Sequence, residues 1–235
     1  MTGTGTIINV GAVVAGTTAG VVIGHRLPVG VQQRVLMGLG MVTLVLGIDN
    51  ALEWDGTNPI IVMGAVLLGG VAGEAIGIER RLAALGDVLQ RRFAGAGSSR
   101  LSEGFVTASL LFCVGPLTVV GSIQDGLTGD YSSLGAKALL DGFASIAFAS
   151  TLGWGVGLAA VTVLVVQGSI TLAAAPLDGV LGEGSEALAA LTSAGGVLIV
   201  GIALKLLELR DVKVGNYLPA LLFAPGIVGV VSVLR

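Results

Sequence analysis

Apolar runs of about twenty residues recur along this chain from its first residues to its last. A helix rises about 1.5 Å per residue, so a run of that length matches the hydrocarbon thickness of a bilayer. No other feature narrows the fold as much. A soluble domain covers itself with roughly a quarter charged residues. Here 11% are charged and 54% are hydrophobic, so most of the exterior must face lipid. Aromatics are scarce, and many of the 39 glycines sit inside the apolar runs. Small residues there let membrane helices approach closely. The reading is all-α: a single polytopic transmembrane helical domain over residues 1–235.

Eight spans follow from the runs and their breaks. They cover about 6–24, 36–52, 60–78, 104–123, 138–152, 155–175, 188–207 and 214–234. The turn-forming Asp55-Gly56-Thr57-Asn58-Pro59 separates the second from the third. Gly153-Trp154-Gly155 separates the fifth from the sixth, and an acidic loop, 177–186, precedes the seventh. Between spans three and four, Glu79 to Phe93 is amphipathic. Leu82, Leu85 and Leu89 form one face and Arg80, Arg81, Arg91 and Arg92 stand off it. That pattern predicts a helix lying in the interface plane.

Charge sets the orientation. With the amino terminus outside, the cytoplasmic side holds Arg26, Arg34, Arg80, Arg81, Arg91, Arg92, Arg100, Lys205, Arg210 and Lys213. The outside holds Lys137 and Arg235. Ten against two is a strong positive-inside bias, and it places both termini outside. Trp54, Tyr131, Trp154 and Tyr217 then fall at span ends, where interfacial aromatics belong. The first run has no positive residue before it, whereas His25 and Arg26 follow it, which orients a first helix rather than marking a cleavable signal.

Leu44–Ile48 (LVLGI) resembles Leu198–Ile202 (LIVGI). These segments lie in spans two and seven, which run in opposite directions. A plan relating spans 1–3 to spans 6–8 by inversion would explain the likeness, as in secondary transporters. Chance similarity of five apolar residues explains it equally.

Span four carries the most chemistry. At helical spacing, Gly104, Thr107, Leu111, Gly115, Thr118, Ser122 and Asp125 form a stripe of mostly small or polar residues. It reads either as a helix-packing face or as the lining of a polar path. Gly115-Pro116 interrupts span four and Pro225-Gly226 sits within span eight. Proline removes a backbone donor, and the freed carbonyls are tolerable in lipid only inside protein or along a cavity. Asp141 lies about one turn into span five with Ser145 on the same face. An ionisable group in a membrane helix is a functional candidate, although Lys137, four residues earlier, offers a local pair. Asn9 and Gln167 are neutral amides within spans one and six, suited to cross-linking helices. Asp49 and Asn50 suit capping at the outer end of span two. Glu74 suits pairing with an arginine of the amphipathic segment.

Gly16/Gly20/Gly24 and Gly69/Gly73/Gly77 place a glycine at every fourth position, the pattern of a close-packing seam. His25 is the sole histidine and Cys113 the sole cysteine, so neither a paired-cysteine motif nor HExxH exists, and no P-loop does either. The sequence calls for no metal, no cofactor and no catalytic residue. A net charge of −3 gives no reason to expect nucleic acid as a partner.

The stretches EGFVTASLLFCVGPLTVVGSIQDGLTGD, AKALLDGFASIAFASTLGWGV and VVQGSITL resemble the bacterial membrane family called domain of unknown function 554, the YdfK/YqgA-like proteins. GTGTIINVGAVVAGTTAGVVIG, GVAGEAIGIERRLAALGDVLQRRF and SAGGVLIVGIALKLLELRDVKVGNYLPAL fit it as well. The resemblance spans nearly the whole chain and implies a multi-pass protein of the bacterial inner membrane. It brings no reaction or substrate. The residues themselves favour a small secondary transporter or channel for an ion or small solute. Its path would use Asp141, Ser145, Thr107, Thr118, Ser122, Asp125, Asn9 and Gln167, with Gly115-Pro116 and Pro225-Gly226 as breaks. A non-transporting scaffold or partner subunit is the rival. The bilayer is the one partner the composition demands, and a homo-oligomer is compatible with it.

Overall fold

The computed structural model describes residues 2–24, 26–81, 84, 101–113 and 116–234. Most of the amphipathic 79–93 segment lies outside the described residues, as do His25 and Gly115. Residues 78–81 are helical, and no strand occurs among the described residues. The elements are α1 (Thr4–Gly24), α2 (Val29–Ala51), α3 (Pro59–Ile76), α4 (Leu101–Cys113) and α5 (Pro116–Thr128). After them come α6 (Ser132–Leu152), α7 (Gly155–Leu172), α8 (Ala174–Leu181), α9 (Glu186–Leu206), a 3₁₀ turn (Val214–Tyr217) and α10 (Ala220–Leu234).

Among the described residues, six segments are long and apolar enough to cross a membrane: α1, α2, α3, α7, α9 and Val214–Leu234. A bent pair, α4 with residues Leu117–Thr128 of α5, passes the same test when taken together, its two halves inclined by 60°. Of the two other helices, α8 has only 8 residues, and α6 has 21 but carries Lys137 and Asp141, which lower its hydropathy. Outward faces are strongly apolar, with Ile7, Val71, Phe143, Leu172 and Leu222 all more than two-thirds exposed.

Local sequence explains the ends. Asn58 caps α3, accepting the Ile60 N–H at 2.9 Å, and Pro59 occupies the first turn, where its missing donor costs nothing. Ser185 caps α9 by accepting the Leu188 N–H at 3.2 Å. Gly153 ends α6 with φ +74°, a conformation a β-carbon disfavours, so the expected cut before α7 is present.

Several boundaries differ from those read in the sequence. Helix α2 begins at Val29 rather than near residue 36, because its first turns carry Gln32, Gln33 and Arg34 and escape an apolar window. Helix α6 begins at Ser132 rather than 138, which moves Lys137 from a loop onto a helix. The expected acidic loop at 177–186 is partly the short helix α8. Span eight opens with the 3₁₀ turn, and α10 then continues through Pro225 without interruption.

The chain divides into two compact units. The first takes Met1–Leu39, Leu82–Cys113 and Leu117–Ala175. The second takes Gly40–Arg81, Val114–Pro116 and Pro176–Arg235.

In the first unit α1 and α6 run parallel along a glycine seam. A β-carbon on Gly16 would lie 2.3 Å from the Gly142 carbonyl oxygen, and one on Gly20 would lie 2.4 Å from that of Ile146. Gly24 approaches the Ser150 carbonyl equally closely. Such backbone contact gives van der Waals attraction that lipid cannot supply. The broken pair α4–α5 runs parallel to α7. Gly155 meets Leu101 at one end, and Gly126 meets Thr171 and Ala174 at the other.

In the second unit α2 packs antiparallel on α9 and α3 antiparallel on the last span. Gly40 meets Leu207, Gly47 meets Val200 and Gly196 meets Ala51. The two similar pentapeptides, 44–48 and 198–202, therefore lie against each other head to tail. Gly69 and Gly73 form the seam expected of them against Ala220 and Asn216. Gly77 does another job, ending α3 with φ +72°. The core here is rich in alanine: Ala65, Ala187, Ala190, Ala194 and Ala224 pack with Ile61, Val62 and Val228.

Candidate functional site

The interior of the first unit is polar to a degree that its outside is not. On α6, Lys137 and Asp141 are one turn apart and only 5% and 6% exposed. Their side chains form an ion pair. Asn9 on α1 donates its amide N–H to the same Asp141 oxygen at 2.9 Å. The Lys137 ammonium also sits 6.0 Å from the centroid of the Phe112 ring on α4, within cation–π range. Three elements thus meet on one buried pair. In low dielectric such a pair is tolerable only when its spare donors and acceptors are occupied, and these contacts occupy several.

The broken span supplies the second part. Pro116 lacks the N–H that would bond the Phe112 carbonyl four residues back. The Thr118 hydroxyl takes that carbonyl at 3.0 Å. The carbonyl freed by the break is therefore satisfied locally. Thr107 is buried at 4% exposure on α4, and Ser109 bonds Thr162 of α7 at 3.0 Å.

Asp125, near the end of α5, is fully buried. One carboxylate oxygen accepts the Gly5 N–H at 3.2 Å, at the amino-terminal turn of α1. Its other oxygen has no partner. The same holds for the hydroxyls of Thr6, Thr17, Ser122, Ser145 and Thr171, for the Asn9 oxygen and for both amide atoms of Gln167. Buried polar atoms are paired in the great majority of cases. Of the ten residues with such atoms among the described residues, eight belong to the first unit; Thr57 and Thr192 belong to the second.

The first unit thus brings Asn9, Asp141 and Lys137 into direct contact, and Gly5 with Asp125. It buries Ser122, Ser145, Thr118 and Gln167 on helices that pack together. Asn9 cross-links α1 to α6, whereas Gln167 cross-links nothing. Pro225 and Gly226 belong to the second unit; Gly226 is exposed, with open space where a β-carbon would stand. Lys137 is the local partner that its spacing offered to Asp141; Thr6 and Thr171 are residues that sequence reasoning passed over. Thr6 precedes Asn9 by three and Thr171 follows Gln167 by four, so helical spacing pointed to both.

Outside the spans, Asp130 joins α5 to α6. It accepts both the N–H and the hydroxyl of Ser132, which hold its carboxyl below the usual range. In the second unit Glu74 pairs with the Asn216 amide rather than with Arg80 or Arg81; Arg91 and Arg92 lie outside the described residues. Asn216 in turn accepts the Glu79 N–H at 2.8 Å, and Glu79 accepts that of Gly215 at 2.8 Å. Asp49 and Asn50 line a cavity of about 280 Å³ with Glu53, Ser185 and Thr192.

Helices apolar outside and polar within define a multi-pass helical membrane protein. The chain belongs to the family described as "Protein of unknown function (DUF554)", whose model matches residues 4–229. It is 32% identical over 229 residues to "Uncharacterized membrane protein YdfK" of Bacillus subtilis (strain 168), covering 97% of this chain and 96% of that protein. It is 30% identical over 227 residues to "Uncharacterized protein YqgA" of Escherichia coli (strain K12), covering 94% of each. No solved structure matches.

Proposed function

We propose that this protein is a small secondary transporter or channel for an ion or small solute, with its path inside the first unit. One observation carries the reading: most of the polar atoms buried without partners among the described residues lie on α1, α5, α6 and α7, in the unit that also buries the Lys137–Asp141 pair. A bundle kept only for packing gains nothing from burying such atoms, since each unpaired one costs about 1–3 kcal/mol. A path for a polar solute needs them. Asp141, Asn9 and Lys137 would form its charged element, with Thr107, Thr118, Ser122, Ser145, Asp125 and Gln167 lining it. The reading assigns the chain no catalysis.

The same reading places the protein in the bacterial inner membrane with both termini outside and α6 as a further crossing. The ten inner cations against two outer ones support that orientation.

The test is flux in proteoliposomes containing the purified protein, screened across ions and metabolites. Flux that Asp141→Asn abolishes supports the proposal. Unchanged flux in that variant removes Asp141 from the mechanism, and no flux of any solute favours a scaffold.

A further inference from the structure

Asp125 is placed by three close approaches. Gly5 at the start of α1 donates to it, Gly126 beside it meets the Thr171 carbonyl at the end of α7, and Gly121 one turn earlier meets Leu134 at the start of α6. Four element ends therefore converge on one level of the first unit. At that level stand the hydroxyls of Thr6 and Thr171. One turn deeper stand the Ser122 hydroxyl and the Gln167 amide, all buried and unpartnered.

Among the described residues nothing balances a carboxylate at this point. An ionised Asp125 carries a full negative charge. The amino terminus of α1 offers about half a positive charge. Among the described residues no basic side chain pairs with Asp125, and Lys137 is engaged by Asp141. Capping α1 explains one carboxylate oxygen and leaves the other, Oδ1, without a partner.

We infer that Asp125 Oδ1, with the oxygens of Ser122, Thr6, Thr171 and Gln167, forms a binding site for a desolvated alkali-metal cation. The donors are all hard oxygens, which exclude soft metals as preferred occupants. A single carboxylate matches a single positive charge. A divalent ion would leave an uncompensated charge in low dielectric, at a cost of several kcal/mol. The inference deepens the transport reading and rests on it for a role, that of coupling ion or permeant ion. Binding itself is measured without flux.

The experiment is thermal unfolding of the full-length purified protein at constant ionic strength and pH 8. Choline chloride is replaced stepwise by lithium, sodium or potassium chloride, with magnesium chloride as a separate series. The expected result is a midpoint that climbs with the logarithm of one alkali cation and stays flat in choline. Asp125→Asn abolishes the climb. Ser122→Ala and Thr171→Val displace it to about tenfold higher concentration, and these keep the test intact if Asp125→Asn fails to fold. Three results overturn the inference: equal midpoints in all monovalent salts, a midpoint that follows pH alone, or a stronger response to magnesium. An alkali shift without flux retains the site and removes the transport reading; flux without the shift does the reverse.

Discussion

A β-carbon on Gly73 would stand 1.8 Å from the carbonyl oxygen of Asn216. The obstacle is backbone, and Asn216 is held on both sides of its amide by Glu74 and by the Glu79 N–H. Neither partner can retreat without breaking those bonds. Gly73→Ala is therefore expected to destabilise the second unit by about 3 kcal/mol, the upper end of the cost of overpacking. Thermal unfolding in detergent measures it. Gly168→Ala, where a β-carbon meets nothing within 4 Å, should be neutral or gain about 0.5–1 kcal/mol from helix propensity. Equal effects at both sites would refute the seam.

Removing one member of the buried pair leaves the other uncompensated. Lys137→Met should cost about 3–5 kcal/mol. Combining it with Asp141→Asn should recover most of that loss, because neither charge then remains buried. A double-mutant cycle on unfolding free energies reports the coupling. Additive losses would mean that the two side chains do not share one environment.

Gln167 separates stability from function. Both its amide atoms are buried without partners, so Gln167→Leu should raise stability by about 1 kcal/mol. If the first unit conducts, the same substitution should lower flux. Unfolding midpoints and proteoliposome flux are read on the same preparation. A variant that is less stable yet transports normally would show that the amide serves packing.

Orientation is open to chemical labelling. Cys113 is the sole native thiol, so Cys113→Ala provides a clean background. A cysteine introduced at Thr2 should react with a membrane-impermeant maleimide from outside the cell, and one at Asp211 only after permeabilisation. The opposite pattern would invert the topology.

Most of the architecture was legible because lipid imposes simple rules. Run length, glycine spacing and the Asn58-Pro59 and Gly153 signals each have a local cause that needs no partner. What stayed hidden depended on partners. The sequence offered Lys137 as a loop residue because the apolar run begins after it; the helix starts earlier, at Ser132, whose N–H bonds Asp130. Pro116 announced a freed carbonyl, but only the fold reveals that Thr118 takes it. Pro225 gave the same signal inside a helix that continues. Asp125 read as one more polar residue near a span end, since nothing in its neighbourhood along the chain reveals that α1 begins against it.

The parallel seam of α1 and α6 also bears on how the protein is made. Parallel neighbours cannot be joined by a tight turn, so α1 must wait in the bilayer while the ribosome completes everything between them. During that interval Gly16, Gly20 and Asn9 face acyl chains or an insertion factor. Assembly of the first unit is thus late and non-sequential, since the Asn9 amide meets its acceptor only once Asp141 has been made.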